Sequence, residues 1–104
     1  MATELARTFN KSETIQALGV GTTQTITTSG TSAAISTAFA AGTTVIRVVA
    51  TEDVHVAFAA SPTATTSDAF LPSNQVEYFK VTAGEKIAAI QNSTAGTVYV
   101  TEME

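Results

Sequence analysis

Short runs of Val, Ile and Thr, separated by turn residues about every ten positions, constrain the fold of this chain more than any other feature. Side chains that branch at Cβ favour extended backbone and are poorly tolerated in helices. Thr, one of the three β-branched residues, is the commonest residue of the chain, with 20 copies. At 104 residues the chain has the length of one domain. The sequence therefore predicts an all-β fold, a small antiparallel β-sandwich that is jelly-roll-like, with seven or eight short strands.

The predicted strands lie between turn signals and carry alternating side chains. They cover residues 23–28, 33–37, 44–51, 53–59, 76–81, 86–91 and 97–101. Residues 60–74, which contain both prolines, predict one long loop. The loop lengths in the last third of the chain predict that its three strands form an antiparallel meander. Alternation places Ile46, Val48 and Ala50 on one face, and it points His55 away from the core.

The N-terminal residues differ from those that follow. Residues 1–13 hold four of the 14 formal charges, whereas residues 14–46 hold none. This boundary predicts an N-terminal arm over residues 1–13 and a single sandwich domain over residues 14–104. Leu5 and Phe9, four positions apart, are the side chains expected to anchor the arm.

The charge balance argues against two classes of partner. Nine acidic and five basic residues give a net charge of −4, with no cluster of Lys or Arg, whereas nucleic acids and anionic membranes bind basic surfaces. The absence of cysteine excludes disulfides and zinc–sulfur sites. No signal-peptide pattern is present, and no apolar run approaches the roughly 20 residues that span a bilayer. We therefore expect a protein made in the cytoplasm that binds neither nucleic acid nor membrane.

The ionisable residues form no pattern typical of a catalytic or metal site. His55 is the only histidine, and no serine-elbow motif accompanies it. Carboxylates for glycoside hydrolysis would come from Glu52, Asp53, Asp68, Glu77 and Glu85, and carboxylates for calcium binding would come from the first three of these. Several of these stand in predicted turns, where solvated acids are common, and no calcium-loop motif surrounds them. We therefore predict a non-enzymatic protein without catalytic, cofactor-binding or metal-binding residues.

Three threonines alternate along one predicted strand and place their hydroxyls on one face. They are Thr23, Thr25 and Thr27. The row resembles the hydroxyl ladders of ice-binding proteins, but those proteins repeat the row on many stacked coils and this chain has no such repeat. An ordinary strand with a threonine face is the favoured interpretation.

Several strand and turn phrases follow one another between residues 44 and 103. They read VIRVVATEDVHVAF at 45–58, SPTA at 61–64, FLP at 70–72, EYF at 77–79, VTAGEKIAAI at 81–90 and GTVYVTEM at 96–103. This pattern resembles small structural proteins encoded beside the capsid genes of tailed bacteriophages and prophages. The resemblance implies a β-sandwich protein of the virion, most often a capsid decoration (cement) protein. It carries no catalytic residues to transfer.

The leading hypothesis is therefore a decoration protein of the capsid surface, which assembles as a homotrimer and binds over joints between subunits of the phage major capsid protein. A chain poor in charge suits burial against its own copies or a larger assembly. The predicted partner contacts are Leu5, Arg7 and Phe9 in the arm, and Phe70 and Leu71 in the long loop. The alternative for the loop pair is that it plugs the open end of its own sandwich.

A second hypothesis comes from a different class. β-Sandwiches also serve as tail or head-fibre components and as carbohydrate-binding modules for receptor recognition. In that case Tyr78 and Tyr99, the two tyrosines of the chain, are the residues expected to stack on sugar rings.

Overall fold

The computed structural model describes residues 18–104, together with the backbone of residues 6–7 and 14–15. This part of the chain is all-β and contains strands of two to eight residues. They are β1 (Ala6–Arg7), β2 (Thr14–Ile15), β3 (Val20–Thr27), β4 (Ala33–Ala34), β5 (Val45–Ala50), β6 (Val54–Ala59), β7 (Ala69–Leu71), β8 (Glu77–Lys80), β9 (Lys86–Gln91) and β10 (Thr97–Met103).

The eight strands from β3 to β10 form two four-stranded antiparallel sheets. The first sheet has the order β3-β10-β5-β8, and the second sheet has the order β4-β9-β6-β7. Apart from β6 and β7, strands that follow each other in the chain lie in different sheets. This is the strand order of a jelly roll, in which the chain wraps around the core and closes two Greek keys. The predicted all-β sandwich of seven or eight strands is confirmed.

Two predictions about the strands are wrong. The last three strands do not form a meander, because β8 pairs with β5, β9 pairs with β6 and β4, and β10 returns to the first sheet. A short turn can join a hairpin or cross between sheets at the rim of a sandwich, so its length does not decide the partner. The predicted loop at residues 60–74 contains a strand, β7, which pairs with β6.

The core lies between the inward faces of the two sheets. Ile46, Val48 and Ala50, which alternation along β5 places on one face, are all buried, and Val54 and Val56 face them from β6. The other members of this cluster are Ile26, Ile35, Phe39, Leu71, Val81, Ile87, Ala89, Val98 and Val100. Twelve of the fourteen are alanine, valine or isoleucine, so the interior is filled by small and β-branched side chains.

One buried carboxylate closes the core beside the end of β10. Glu102 follows Val98 and Val100 on the inward side of this strand and is buried. The Thr43 hydroxyl donates a hydrogen bond of 2.6 Å to its Oε1 atom. Every buried side-chain nitrogen or oxygen of the described residues has a hydrogen-bond partner, as buried polar groups require.

Strands β1 and β2 pair only with each other, outside the two sandwich sheets. Their register joins Ala6 to Ile15 and Arg7 to Thr14. The predicted boundary between residues 13 and 14 therefore lies just before β2, while the sandwich strands begin at Val20. Gly19, which precedes them, exchanges both backbone hydrogen bonds with Glu104.

Gly21 stands where β3 has one extra residue relative to β10, between the pairs Thr101–Thr23 and Met103–Val20. A Cβ atom at this position would lie 2.8 Å from the Glu102 carbonyl oxygen and would also meet the Glu104 side chain. Because the carbonyl belongs to the ladder, we expect Gly21→Ala to lower the free energy of unfolding by about 1–3 kcal/mol in urea denaturation.

Gly30→Ala is the matched control, since a Cβ at Gly30 has no neighbour within 4 Å. We expect a change within about 0.5 kcal/mol for that variant. Equal effects of the two substitutions would contradict a steric role for Gly21.

Candidate functional site

The outward side of the first sheet carries hydroxyl groups, two tyrosines and two cations, and we call it the hydroxyl face. Its members alternate with the core residues on all four strands. They are Thr23, Thr25 and Thr27 on β3, Thr97, Tyr99 and Thr101 on β10, Val45, Arg47 and Val49 on β5, and Tyr78 and Lys80 on β8. The three threonines expected to share one strand face do so, and they are exposed.

Two rows of cross-strand neighbours define the centre of the hydroxyl face. In one row Tyr99 lies between Thr25 and Val49. In the adjacent row the register runs from Thr23 through Thr101 and Arg47 to Tyr78. The Thr23 and Thr101 hydroxyls are 2.9 Å apart and hydrogen-bonded. Tyr78 is 59% exposed and Tyr99 is 43% exposed, so both rings are available from solution.

The charge on the hydroxyl face is opposite in sign to that of the chain. Arg47 and Lys80 lie in its rows, and no carboxylate does. Within residues 18–104, Arg47 forms no ion pair. The sequence alone did not bring Arg47, Tyr78 and Tyr99 together, because their strands are separated along the chain and only the jelly-roll order places β5 between β8 and β10.

The outward side of the second sheet contains His55 beside Phe70. These residues are cross-strand partners on β6 and β7, with ring centroids 5.3 Å apart and planes tilted by 54°. His55 points away from the core, as the sequence predicts, yet it is only 8% exposed. It is covered there because flanking loops supply Asp68 and Asn92 to its two nitrogens.

Both ring nitrogens of His55 face oxygen atoms. Nδ1 lies 2.9 Å from the Asp68 carbonyl oxygen, and Nε2 lies 3.0 Å from Oδ1 of Asn92. An imidazolium donates from both nitrogens at once, whereas a neutral ring donates from one. The Asn92 side chain, the Asp68 carbonyl and the Asp68 charge therefore raise the pKa of His55, while burial opposes the change.

The two predicted contact residues of the long loop, Phe70 and Leu71, point to opposite faces of β7 in the structure. Phe70 is 53% exposed, whereas Leu71 is 1% exposed and belongs to the core cluster. Successive residues of a strand point to opposite faces, so β7 turns one side chain outward and the other inward. Leu71 fits the alternative in which this position fills its own sandwich, and only Phe70 remains a candidate contact.

The predicted contacts of the arm precede the sandwich strands. Leu5 and Phe9 lie outside the described residues, and the backbone of Arg7 belongs to β1.

No helix within the described ranges is long and apolar enough to cross a membrane.

The acidic side chains of the loops cap backbone and hydroxyl groups. Asp68 accepts hydrogen bonds from the Thr65 amide at 2.8 Å and from the Thr65 hydroxyl at 3.2 Å. Asp53 accepts one from the Ser73 amide at 2.8 Å. These contacts stabilise turns on either side of β7.

Among the residues that the structure describes, no group of three or more His, Asp or Glu side chains is placed to hold a metal ion.

No protein-family model, curated protein or solved structure matches this chain. The resemblance to virion proteins therefore remains a prediction.

The raised pKa of His55 predicts how stability depends on pH. Protonation is favoured by folding, so this contribution is fully present below the unfolded pKa of about 6.5 and is lost as the pH rises through the folded pKa. We expect the free energy of unfolding of the wild type, relative to that of His55→Gln, to fall between pH 6 and pH 9. Urea denaturation across this range measures the difference.

Because His55 is the single histidine of the chain, NMR titration of its ring protons reports its pKa directly. Asn92→Ala removes the largest cause of the shift and should bring the pKa down toward its ordinary value. An unchanged pKa in this variant would show that the Asn92 contact does not stabilise the charged ring.

Proposed function

We propose that this chain is a non-enzymatic structural protein of a tailed-phage virion, which decorates the assembled head by binding over joints between major capsid subunits. The strand order carries the proposal, because the jelly roll is an architecture of viral capsid domains. The sequence phrases that resemble virion proteins coincide with β5, β6, β7, β8, β9 and β10, which are six of the eight sandwich strands.

An exposed aromatic side chain on a surface with few charges supports a role in assembly. Phe70 is exposed although it is apolar, and the chain has only 13% charged residues. Charged residues are depleted in the centre of protein interfaces, and aromatic residues are enriched there. Phe70 stands on β7, an edge strand of the second sheet, so a partner can reach both its ring and the free side of the strand.

The mechanism of such a protein is mass action. A ligand that binds the assembled lattice and not its dissociated subunits stabilises the lattice by its binding free energy, about 2.7 kcal/mol per site at a free concentration of 100 times Kd. No residue has to perform chemistry for this stabilisation. Symmetric association of the decorating chain would let several copies bind one joint together.

Binding to heads tests the proposal. We expect the purified chain to sediment with heads assembled from the major capsid protein of the phage or prophage that encodes it, and not with unassembled subunits. Phe70→Ala should weaken this binding by about tenfold or more, as expected for an aromatic residue in the centre of an interface.

Val76→Ala is the matched control, because Val76 is also exposed and apolar but immediately precedes β8, in the first sheet. It should leave head binding unchanged. Absence of the wild type from the head pellet would overturn the proposed function, and equal losses in the two variants would exclude Phe70 as a specific contact.

The mass in solution tests the proposed homotrimer. Light scattering coupled to size exclusion should give about three times the 10.7 kDa of one chain. A mass of one chain at micromolar concentration would exclude a stable trimer and would leave head binding as a property of the monomer.

A further inference from the structure

We propose that the hydroxyl face binds a short oligosaccharide that bears a carboxylate, such as a sialylated or uronic-acid glycan. This face belongs to the first sheet, whereas Phe70 stands on the second sheet. The outward sides of the two sheets of a sandwich point in opposite directions. Glycan binding is therefore independent of head binding, and the same chain can perform both.

The two tyrosines provide surfaces on which sugar rings can stack. Tyr78 and Tyr99 are exposed, and neither packs against another aromatic ring of the described residues. A tyrosine ring combines a large apolar surface with a hydroxyl at low cost in conformational entropy. The apolar side of a pyranose ring, with its axial C–H groups, is complementary to such a surface.

The spacing of the two rings indicates the length of the ligand. Tyr99 is on β10 and Tyr78 is on β8, with β5 between them and one row of difference along the strands. Two strand spacings of about 4.8 Å and one two-residue step of about 7 Å separate their Cα atoms by roughly 12 Å, the length of a di- or trisaccharide at about 5 Å per unit.

The threonines supply groups that suit sugar hydroxyls. A threonine hydroxyl donates one hydrogen bond and accepts others, as a sugar hydroxyl does. Thr25 and Thr27 are exposed, and no hydrogen bond engages their hydroxyls within residues 18–104. Thr25 is the direct cross-strand neighbour of Tyr99, so a sugar ring on Tyr99 lies within reach of this hydroxyl.

Arg47 selects for an acidic sugar. It is the direct neighbour of Tyr78 on β8 and the diagonal neighbour of Tyr99 on β10, so its backbone position lies between those of the two tyrosines. A guanidinium binds a carboxylate through two parallel hydrogen bonds. Lys80 adds a second positive charge, and the rows of the face contain no carboxylate to compete. The charge of the face thus complements an anionic ligand, although the whole chain has a net charge of −4.

The test uses the full chain on a glycan array, followed by calorimetry with two matched pairs of sugars, sialyllactose against lactose and trigalacturonate against its methyl ester. We expect the acidic member of at least one pair to bind at least tenfold more tightly than its neutral counterpart. Failure to bind any acidic glycan at millimolar concentration would overturn the proposal.

Variants locate the site on the hydroxyl face. Tyr99→Ala should reduce affinity for the acidic sugar by about tenfold or more, whereas Tyr99→Phe, which keeps the ring, should retain most of it. Arg47→Gln should abolish the preference for the acidic sugar over its neutral counterpart. Lys86→Gln is the matched control, since Lys86 is a cation on β9 of the second sheet, and it should leave the preference intact.

Two outcomes would overturn the proposal of a glycan site on the hydroxyl face and indicate another origin for the effects. If Arg47→Gln and Lys86→Gln weaken binding equally, the attraction is a property of overall charge and the site is excluded. If Tyr99→Ala lowers the mass of the protein in solution instead of its glycan affinity, the hydroxyl face is an interface between copies of the chain. Head sedimentation with Tyr99→Ala and Arg47→Gln should match the wild type, so failure of one proposal does not imply failure of the other.

Discussion

Strand β10 holds the first sheet together, because it pairs with β3 on one side and with β5 on the other. Its inward residues Val98 and Val100 are fully buried in the core. Its outward residues include Tyr99, at the centre of the hydroxyl face. The same backbone ladder therefore fixes the packing of the interior and the geometry of the surface, and a shift of one residue in its register would exchange the two sets of side chains.

The faces of individual strands could be predicted from the sequence, but their partners could not. Alternation correctly placed Ile46, Val48 and Ala50 on one face of their strand, because the side-chain period of a strand is a local property. Whether residues 92–96 join a hairpin or cross between sheets depends on long-range packing, which this pattern does not encode. For the same reason the sequence left Arg47 apart from Tyr78, although the fold makes them neighbours. Alternation could not indicate that His55 is covered, because the cover comes from loops that flank neighbouring strands.

The two outward faces differ in how their candidate contact residues are held. Tyr99 and Arg47 stand on the two inner strands of the first sheet, whose ladders are satisfied on both sides. Phe70 stands on a three-residue edge strand, which has one paired side only. A rigid face suits recognition of a small ligand, because little conformational entropy is lost on binding. An edge strand suits docking to a large partner, since it can extend the partner's own backbone pairing.

The ring of His55 connects the short edge strand β7 to the neighbouring strand and loops. Its ring contacts Phe70 directly and bonds to the Asp68 carbonyl, one residue before β7 begins. Asn92 holds the opposite nitrogen from the turn between β9 and β10. The position of Phe70 thus depends on a polar bridge that is strongest when the imidazole is charged. Loss of this proton removes one donor from the bridge, so the order of β7 and the protonation of the single histidine are coupled through the same two hydrogen bonds.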